Sequence, residues 1–174
     1  MTTRSGLDAH PGAPFSPATD PMRAAVGPGA YANRADVPDL TVHGAPKVVP
    51  MRADATFFIE PRDPDPRGMA VIAADERTAG TVVDVWIDRA EPQVRYLEVQ
   101  VAASGRTALL PIGYARIRGR SRTVHVTSIR AAHFDDVPTT RSPEQVTLLE
   151  EDKIMAYYAG GYLYADESRL GPVL

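Results

Sequence analysis

The sequence contains no cysteine, and none of its apolar runs is long. The absence of cysteine excludes disulfides, thiolate nucleophiles and cysteine-ligated zinc sites. A membrane-spanning helix needs roughly 18–20 consecutive apolar residues. No stretch of the 174 residues approaches that length, so the sequence predicts no membrane-spanning helix of its own. The net charge of −3 shows no excess of basic residues, and we therefore expect no nucleic-acid partner.

The motifs of common catalytic sites are also missing. The four histidines are not spaced as metal ligands. There is no phosphate-binding Gly-x-x-x-x-Gly-Lys loop and no Gly-x-Ser-x-Gly elbow. The sequence therefore predicts a protein without catalytic residues, without a metal site and without a directly bound cofactor. The histidines are His10, His43, His125 and His133.

Proline divides the chain into two parts. Eleven of the 16 prolines precede Arg67, and proline fixes φ and removes a backbone hydrogen-bond donor. We expect residues 1–68 to form an extended arm that lies along a partner or along its own domain, and residues 69–174 to form that domain. The apolar side chains that could anchor the arm are Phe15, Met22, Val26, Tyr31, Leu40, Val48, Val49, Met51, Phe57, Phe58 and Ile59.

Short β-like runs separated by turn residues follow Gly68. Residues 81–88 and 94–102 alternate in side-chain character, as strands with one packed face and one outward face do. Ser104-Gly105 and Gly119-Arg-Ser supply turns between later strands. The spacing predicts a mainly β fold, a small antiparallel barrel of five or six strands. The alternating faces are Val83, Val85 and Ile87 against Val82, Asp84, Trp86 and Asp88 in the first run, and Leu97, Val99 and Val101 against Tyr96, Glu98 and Gln100 in the second.

One C-terminal helix is predicted over residues 148–159. Thr147 and Glu150 form the capping-box signature that precedes a helix, and the pair Gly160-Gly161 would end it. Three acidic residues occupy positions 150–152. They complement the helix dipole as ordinary capping residues do, or they form a docking edge for basic residues of a partner.

A charged cluster lies in the turn between two of the predicted strands. Asp88, Glu91 and Arg95 fall within eight positions, and Glu98 follows them. Turns carry polar residues simply because they meet water, which is one interpretation. The other is a proton relay, because burial or a neighbouring carboxylate raises the pKa of a carboxyl toward neutral pH and a nearby arginine lowers it. The residues alone leave both open.

Several longer segments are distinctive. The domain contains Asp88-Arg-Ala-Glu-Pro-Gln-Val-Arg-Tyr-Leu-Glu-Val, Leu109-Leu-Pro, Val146-Thr-Leu-Leu-Glu-Glu-Asp-Lys-Ile and Tyr157-Tyr-Ala-Gly-Gly-Tyr-Leu-Tyr-Ala, and the arm contains Asp20-Pro-Met, Val26-Gly-Pro and Pro38-Asp-Leu. These segments resemble the H subunit of purple-bacterial photosynthetic reaction centres, whose soluble part is a PRC-barrel. The resemblance extends over nearly all of the chain from Phe15 onward, and the helix segment is its most specific part.

The resemblance implies a PRC-type barrel that caps the L and M subunits as a peripheral subunit on the cytoplasmic face of the inner photosynthetic membrane. It also implies a role in proton delivery to the secondary quinone. Bacteriochlorophyll, bacteriopheophytin, quinone and iron would be bound by the partner subunits. The positions that match the family's proton route are Asp88, Glu91 and Arg95, with Glu144, Asp39 and His43 as further matching positions.

The sequence departs from that family in two respects. Ala45 and Thr41 stand where the family has a second histidine and an acid beside the position of His43, so we expect no surface metal site here. The N-terminal membrane helix of the family is also missing. Either the chain is truncated, or the subunit is split and a separate transmembrane H fragment supplies the helix. The Met1 start and the long arm are compatible with both, and we expect the split form. Light-harvesting subunits are further partners to consider.

Two other classes of protein are compatible with these residues. A free-standing PRC-barrel adaptor in RNA processing would be expected to carry a more basic surface than a net charge of −3 gives. A small-molecule enzyme would need a pocket with convergent polar groups.

Overall fold

The computed structural model describes residues 20–170. In that range it contains seven strands, one α-helix and several short 3-10 helices. The strands are β1 (Val48–Pro50), β2 (Ala70–Ile72), β3 (Thr78–Asp88), β4 (Gln93–Val101), β5 (Thr107–Pro111), β6 (Arg116–Arg118) and β7 (Thr123–His125), and the helix is α1 (Leu148–Tyr164). The 3-10 helices span Gly27–Gly29, Met51–Ala53, Ile112–Tyr114, Ala131–Asp136 and Glu167–Arg169.

The strands form one mixed sheet in the order β5-β4-β3-β2-β7-β6, and β1 pairs separately with β3. Every pairing is antiparallel except that of β2 with β7, which is parallel. The predicted mainly β fold with a C-terminal helix is confirmed. The closed antiparallel barrel is corrected to an open mixed sheet, because within residues 20–170 no pairing joins β5 to β6. The β6-β7 hairpin has three residues in each strand and attaches through β7 to β2, which leaves β6 as an edge.

Strand β3 is buried on both faces over its second half. Val85, Trp86, Ile87 and Asp88 are all buried, although successive side chains of a strand point to opposite faces. The register with β4 shifts between Val82 and Asp84, and Val83 is 43% exposed. The expectation that Val83 shares a packed face with Val85 and Ile87 is therefore wrong, because a bulge inserts an extra residue and interrupts the alternation.

Strand β4 is also covered on the face that the alternation predicts to be outward. Tyr96 and Glu98 are buried, while Gln100 is exposed. Tyr96 contacts Glu151 of α1, and Glu98 contacts Arg52 of the arm. Elements that are distant in sequence therefore cover this face, which local alternation cannot predict.

The hydrophobic core lies between the sheet and α1. Each fully buried Val, Leu, Ile or Phe side chain stabilises the fold by roughly 1.5–3 kcal/mol relative to an exposed one. Tyr158 of α1 meets Phe134 edge to face with ring centroids 6.1 Å apart, and stacks on Tyr114 at 5.7 Å. Core residues with no exposed surface include Val71, Val85, Leu97, Val99, Leu110, Val124, Ile129, Phe134, Ile154 and Tyr158.

Helix α1 begins at the predicted capping box. The Thr147 hydroxyl accepts the Glu150 backbone N–H at 3.1 Å, and the Glu150 carboxylate accepts the Thr147 backbone N–H at 2.9 Å. The Glu151 N–H donates to the Thr147 carbonyl at 2.9 Å. Caps of this kind contribute about 0.5–2 kcal/mol, and this one fixes the start of the helix at Leu148.

The arm supplies the remaining partners for the first turn of α1. The first N–H groups of a helix have no acceptor within the helix. Here the Leu148 N–H donates to the Val37 carbonyl at 3.0 Å and the Leu149 N–H donates to the Ala35 carbonyl at 3.2 Å. The arm therefore lies along its own domain in this region; the anchor predicted at Phe15 lies outside the described residues.

The predicted end of α1 at Gly160-Gly161 is wrong, because the helix continues to Tyr164. Both glycines are buried and serve close packing. A Cβ atom on Gly160 would lie 3.1 Å from the Cα atom of Gly29 in the arm. On Gly161 it would lie 2.4 Å from Ile129 Cγ2 and 2.6 Å from the Ser128 carbonyl oxygen. The glycine pair lets the arm and the 127–129 segment approach the helix backbone.

None of the helices in the described part of the chain is both long and apolar enough to cross a membrane.

We predict that Gly161→Ala destabilises the fold by about 1–2 kcal/mol. The clash with a buried side chain and a backbone carbonyl costs roughly 1–3 kcal/mol and outweighs the gain of up to about 1 kcal/mol in helix propensity. The matched control is Gly113→Ala, because a Cβ atom there meets nothing within 4 Å. Thermal unfolding followed by circular dichroism should show a Tm several degrees lower for the first variant alone; equal Tm values would contradict the packing role.

Candidate functional site

Asp88 is the centre of a buried charged cluster. It is the last residue of β3 and has no exposed surface. One carboxylate oxygen accepts the backbone N–H groups of Ala90 at 2.9 Å and Glu91 at 3.1 Å. The other lies 3.2 Å from Arg95 Nη1 and 3.6 Å from Lys47 Nζ. Two cations and two backbone donors therefore compensate the buried carboxylate.

Arg95 links Asp88 to helix α1. Its Nη2 atom lies 3.2 Å from Glu151 Oε2. The same carboxylate oxygen accepts the Tyr96 hydroxyl at 2.8 Å. Because Arg95 and Tyr96 are adjacent on β4 and Glu151 is in the first turn of α1, the contact joins the sheet to the helix.

Lys47 links Asp88 to the surface. The pairing of β1 with β3 places Val48 opposite Asp88, so Lys47 is carried close to that carboxylate. Its Nζ atom also lies 3.7 Å from Asp39 Oδ2, and the Asp39 side chain is 49% exposed. We call these six residues the Asp88 network: Asp39, Lys47, Asp88, Arg95, Tyr96 and Glu151.

Burial changes the titration of two neighbouring groups in the network, Glu151 and Tyr96. Burial raises the pKa of Glu151 above its ordinary value, against the hydrogen bond from Tyr96 and the charge of Arg95. Burial, with the adjacent negative charge of Glu151, also raises the pKa of the Tyr96 hydroxyl. A carboxyl with a raised pKa retains its proton at higher pH than an exposed carboxyl does. Glu151 thus has the property that a proton-exchanging group requires.

The contacts of the network form a continuous series from the surface to helix α1. Neighbouring polar atoms from Asp39 to Glu151 are separated by 2.8 to 3.7 Å. Arg95 and Tyr96 make hydrogen bonds, whereas Lys47 lies at ion-pair distance from both of its carboxylates. Because an arginine side chain does not lose its proton, Arg95 positions the carboxylates of Asp88 and Glu151 and does not itself pass a proton between them.

Three of the residues singled out in the sequence meet in this network, namely Asp88, Arg95 and Asp39. Glu91 is exposed in the turn after β3; its backbone N–H binds Asp88, while its carboxylate accepts the Gln93 amide at 3.5 Å. The Glu91 side chain therefore lies at the edge of the network rather than within it.

The other two residues predicted on the proton route, His43 and Glu144, lie apart from the network. His43 is exposed in the tight turn in which Gly44 N–H donates to the Thr41 carbonyl at 2.9 Å. Glu144 is exposed before α1, and its backbone N–H donates to the Ser142 hydroxyl at 3.2 Å. The structure records no side-chain contact from either residue to the network.

Lys47, Tyr96 and Glu151 are functional candidates that the turn cluster did not reveal. The alternation of β4 assigns Tyr96 to an outward strand face, and the capping pattern of α1 assigns Glu151 to the charges that complement the helix dipole. No neighbouring residue in the sequence indicates that Lys47 contacts Asp88, because this contact depends on the pairing of β1 with β3. The available clue for Glu151 was its place in the acidic first turn of the predicted helix.

A second buried carboxylate cluster lies further along the same two strands. Asp84 and Glu98 are cross-strand neighbours. Arg52 Nη1 binds both, at 2.9 Å to Asp84 and 2.7 Å to Glu98. The Trp86 indole N–H also donates to Glu98 at 2.8 Å, and Arg52 Nη2 donates to the Pro143 carbonyl at 2.6 Å. One guanidinium therefore ties the arm, both strands and the segment before α1 together.

No group of three or more histidine, aspartate or glutamate side chains within residues 20–170 has an arrangement that could hold a metal ion.

Two family models match the chain. The PRC-barrel domain matches residues 59–133, which include β2 to β7. The photosynthetic reaction centre H-chain N-terminal region matches residues 3–53, and the two matches together cover more than two thirds of the sequence. The chain is an H-subunit-like protein of the photosynthetic reaction centre, a family whose H chain is a non-catalytic structural subunit.

We predict that Glu151 makes the fold less stable as the pH rises. A carboxyl whose folded-state pKa is raised binds its proton more tightly in the folded state, so stability falls as pH rises from the ordinary value of 4.5 through the folded pKa. The free energy of unfolding of Glu151→Gln minus that of the wild-type chain should therefore increase as the pH rises from 4.5 to 7.5. Urea unfolding at a series of pH values measures this difference.

Asp54→Asn is the control for this pH series. Hydrogen bonds from Thr56 lower the pKa of Asp54 below its ordinary value of 3.8, so its contribution is lost only as the pH falls below that value. The difference between this variant and wild type should stay constant from pH 4.5 to 7.5. A constant difference for Glu151→Gln as well would show that Glu151 does not have a raised pKa.

Proposed function

We propose that this protein is the cytoplasmic cap subunit of a purple-bacterial-type photosynthetic reaction centre and that it helps protons reach the secondary quinone. The observation that carries the proposal is the Asp88 network, which runs from half-exposed Asp39 to buried Asp88 and partly buried Glu151. The match to the reaction-centre H-chain N-terminal region supports the reaction-centre setting over a free-standing PRC-barrel adaptor.

In this proposal, each part of the network has a physical task. Asp39 exchanges protons with solvent, and Glu151 keeps its proton to a higher pH than an exposed carboxyl does, because burial raises its pKa. Lys47 and Arg95 offset the negative charge of Asp88 and hold the carboxylates in place. Glu91 extends the network to the turn surface through its backbone contact with Asp88.

The partners would be the L and M subunits, which would hold the bacteriochlorophyll, bacteriopheophytin, quinone and iron. Contact with these subunits would cover the Glu151 end of the network and leave Asp39 to exchange protons with bulk water. The protein would then sit peripherally on the cytoplasmic face of the photosynthetic membrane, with a separate transmembrane H fragment and light-harvesting subunits as neighbours.

Flash kinetics of reaction centres that contain Glu151→Gln test the proton role. The first electron transfer to the secondary quinone should be nearly unchanged, because it does not require proton uptake. The proton-coupled second transfer should slow by roughly tenfold or more, since a positioned proton-transferring side chain typically contributes about 10²–10⁴-fold. Glu91→Gln should show the same selectivity with a smaller effect.

Exposed Glu167 provides the matched control. Reaction centres with Glu167→Gln carry the same change of charge outside the network and should retain both rates. Bacteriochlorophyll absorbance of the purified complexes checks that each variant assembles. An unaltered second transfer in fully assembled Glu151→Gln centres would contradict the proton-delivery role.

The partner assignment has a separate test. A tagged form of the native chain should co-purify with a pigmented membrane complex that contains the L and M subunits. Recovery of ribosomal proteins without bacteriochlorophyll would contradict this assignment and favour the adaptor function.

A further inference from the structure

Four arginines are concentrated on the hairpin formed by β6 and β7. Arg116 and Arg118 alternate along β6 with the half-buried Ile117, so both lie on the same outward side of the strand. Arg120 and Arg122 lie in the turn that leads to β7. All four are exposed. We call Arg116, Arg118, Arg120 and Arg122 the arginine hairpin.

The charge of the arginine hairpin is not balanced by nearby carboxylates. Among the residues that the structure describes, none of the four arginines forms an ion pair. Asp65, whose pKa is lowered by Arg67 and more weakly by Arg122, already binds Arg67 at 2.6 Å. A chain with a net charge of −3 therefore presents a local excess of positive charge at one edge of its sheet.

The backbone at Arg122 is unfavourable for an arginine. Its φ is +51°, in the left-handed region, where a side chain with a Cβ atom is strained and glycine is the usual residue. The Arg122 N–H closes the turn onto the Gly119 carbonyl at 3.3 Å. The exposed Arg122 guanidinium makes a single hydrogen bond, at 3.3 Å, with the Arg67 carbonyl.

Edge protection accounts for part of this pattern. β6 is the last strand of the sheet, and charged side chains on an edge strand prevent pairing with other chains. That explanation covers Arg116 and Arg118. It does not cover Arg120 and Arg122, which lie in the turn beyond the strand.

A proline-rich segment packs on the turn of the arginine hairpin. A Cβ atom on Gly119 would lie 2.8 Å from Pro64 Cβ, and Arg122 binds the Arg67 carbonyl. These contacts hold the turn in place, so Arg120 and Arg122 are presented from a supported surface rather than from a loose loop.

We propose that the arginine hairpin binds the anionic phospholipid headgroups of a membrane surface. Guanidinium groups bind phosphate oxygens in bidentate geometry, and juxtamembrane basic residues are attracted by the negative potential of a leaflet. Nucleic acid fits less well, because no Phe, Tyr or Trp lies between residues 116 and 125 to stack on bases. This surface is separate from the Asp88 network, so the inference stands or falls independently of proton delivery.

Vesicle co-sedimentation of the full chain tests this inference. Vesicles of phosphatidylcholine with one quarter phosphatidylglycerol should bind the chain, and pure phosphatidylcholine vesicles should bind it much more weakly. Each arginine contributes about fivefold to such binding at low salt. Arg118→Gln with Arg120→Gln should therefore weaken binding by about 25-fold, and Arg118→Lys with Arg120→Lys should retain most of it.

The matched control is Arg34→Gln with Arg77→Gln, which gives the same net charge from arginines outside the hairpin. This pair should leave binding within about twofold of the wild type. Equal loss in both Gln pairs would show a net-charge effect and overturn the inference, as would equal binding to neutral and anionic vesicles. Tighter binding to a single-stranded RNA than to anionic vesicles at the same salt concentration would assign the arginines to nucleic acid instead.

Arg122→Gly separates a binding role from a structural one. Glycine relieves the left-handed strain, so the variant should unfold at a higher Tm while its vesicle binding falls by about fivefold. A variant that loses stability and keeps its binding would show that Arg122 serves the fold, which would overturn its assignment to the membrane surface.

Discussion

The fold depends on neutralising carboxylates that lie inside a two-sided sheet. Strands β3 and β4 are covered on both faces, yet they carry Asp84, Asp88 and Glu98 as buried residues. An unpaired buried charge destabilises a protein by roughly 3–5 kcal/mol when its partner is removed. Most of the compensating cations come from outside these strands: the arm delivers Lys47 to Asp88, and Arg52 to both Asp84 and Glu98.

The arm is therefore part of the folded structure in the described region. Besides supplying two cations, its Ala35 and Val37 carbonyls accept hydrogen bonds from the first turn of α1. Its Gly29 packs against Gly160 of the helix. Without the arm, the helix would have two unsatisfied N–H groups and the sheet would have uncompensated carboxylates. This coupling gives a physical reason for the two family matches to occur side by side on one chain.

Local sequence signals were sufficient where the structure is determined by neighbouring residues. The Thr147 capping box predicted the start of α1, and the alternating runs predicted β3 and β4. The signals failed where distant segments meet. Gly160-Gly161 resembles a helix stop, but the close approach of the arm requires glycine inside the helix. Closure of the sheet depends on whether β5 reaches β6, which no local pattern encodes.

The candidate site follows the same division between local and distant effects. Asp88, Glu91 and Arg95 were found because they are close in sequence, whereas Lys47 and Glu151 reach Asp88 and Arg95 through strand pairing and helix packing. This difference matters for chemistry. The local turn provides a carboxylate held by backbone donors, but the helix provides the carboxyl whose pKa is raised by burial. A proton-exchanging group needs that raised pKa, so the packing of α1 against β4 supplies the physical property on which the proposed proton delivery depends.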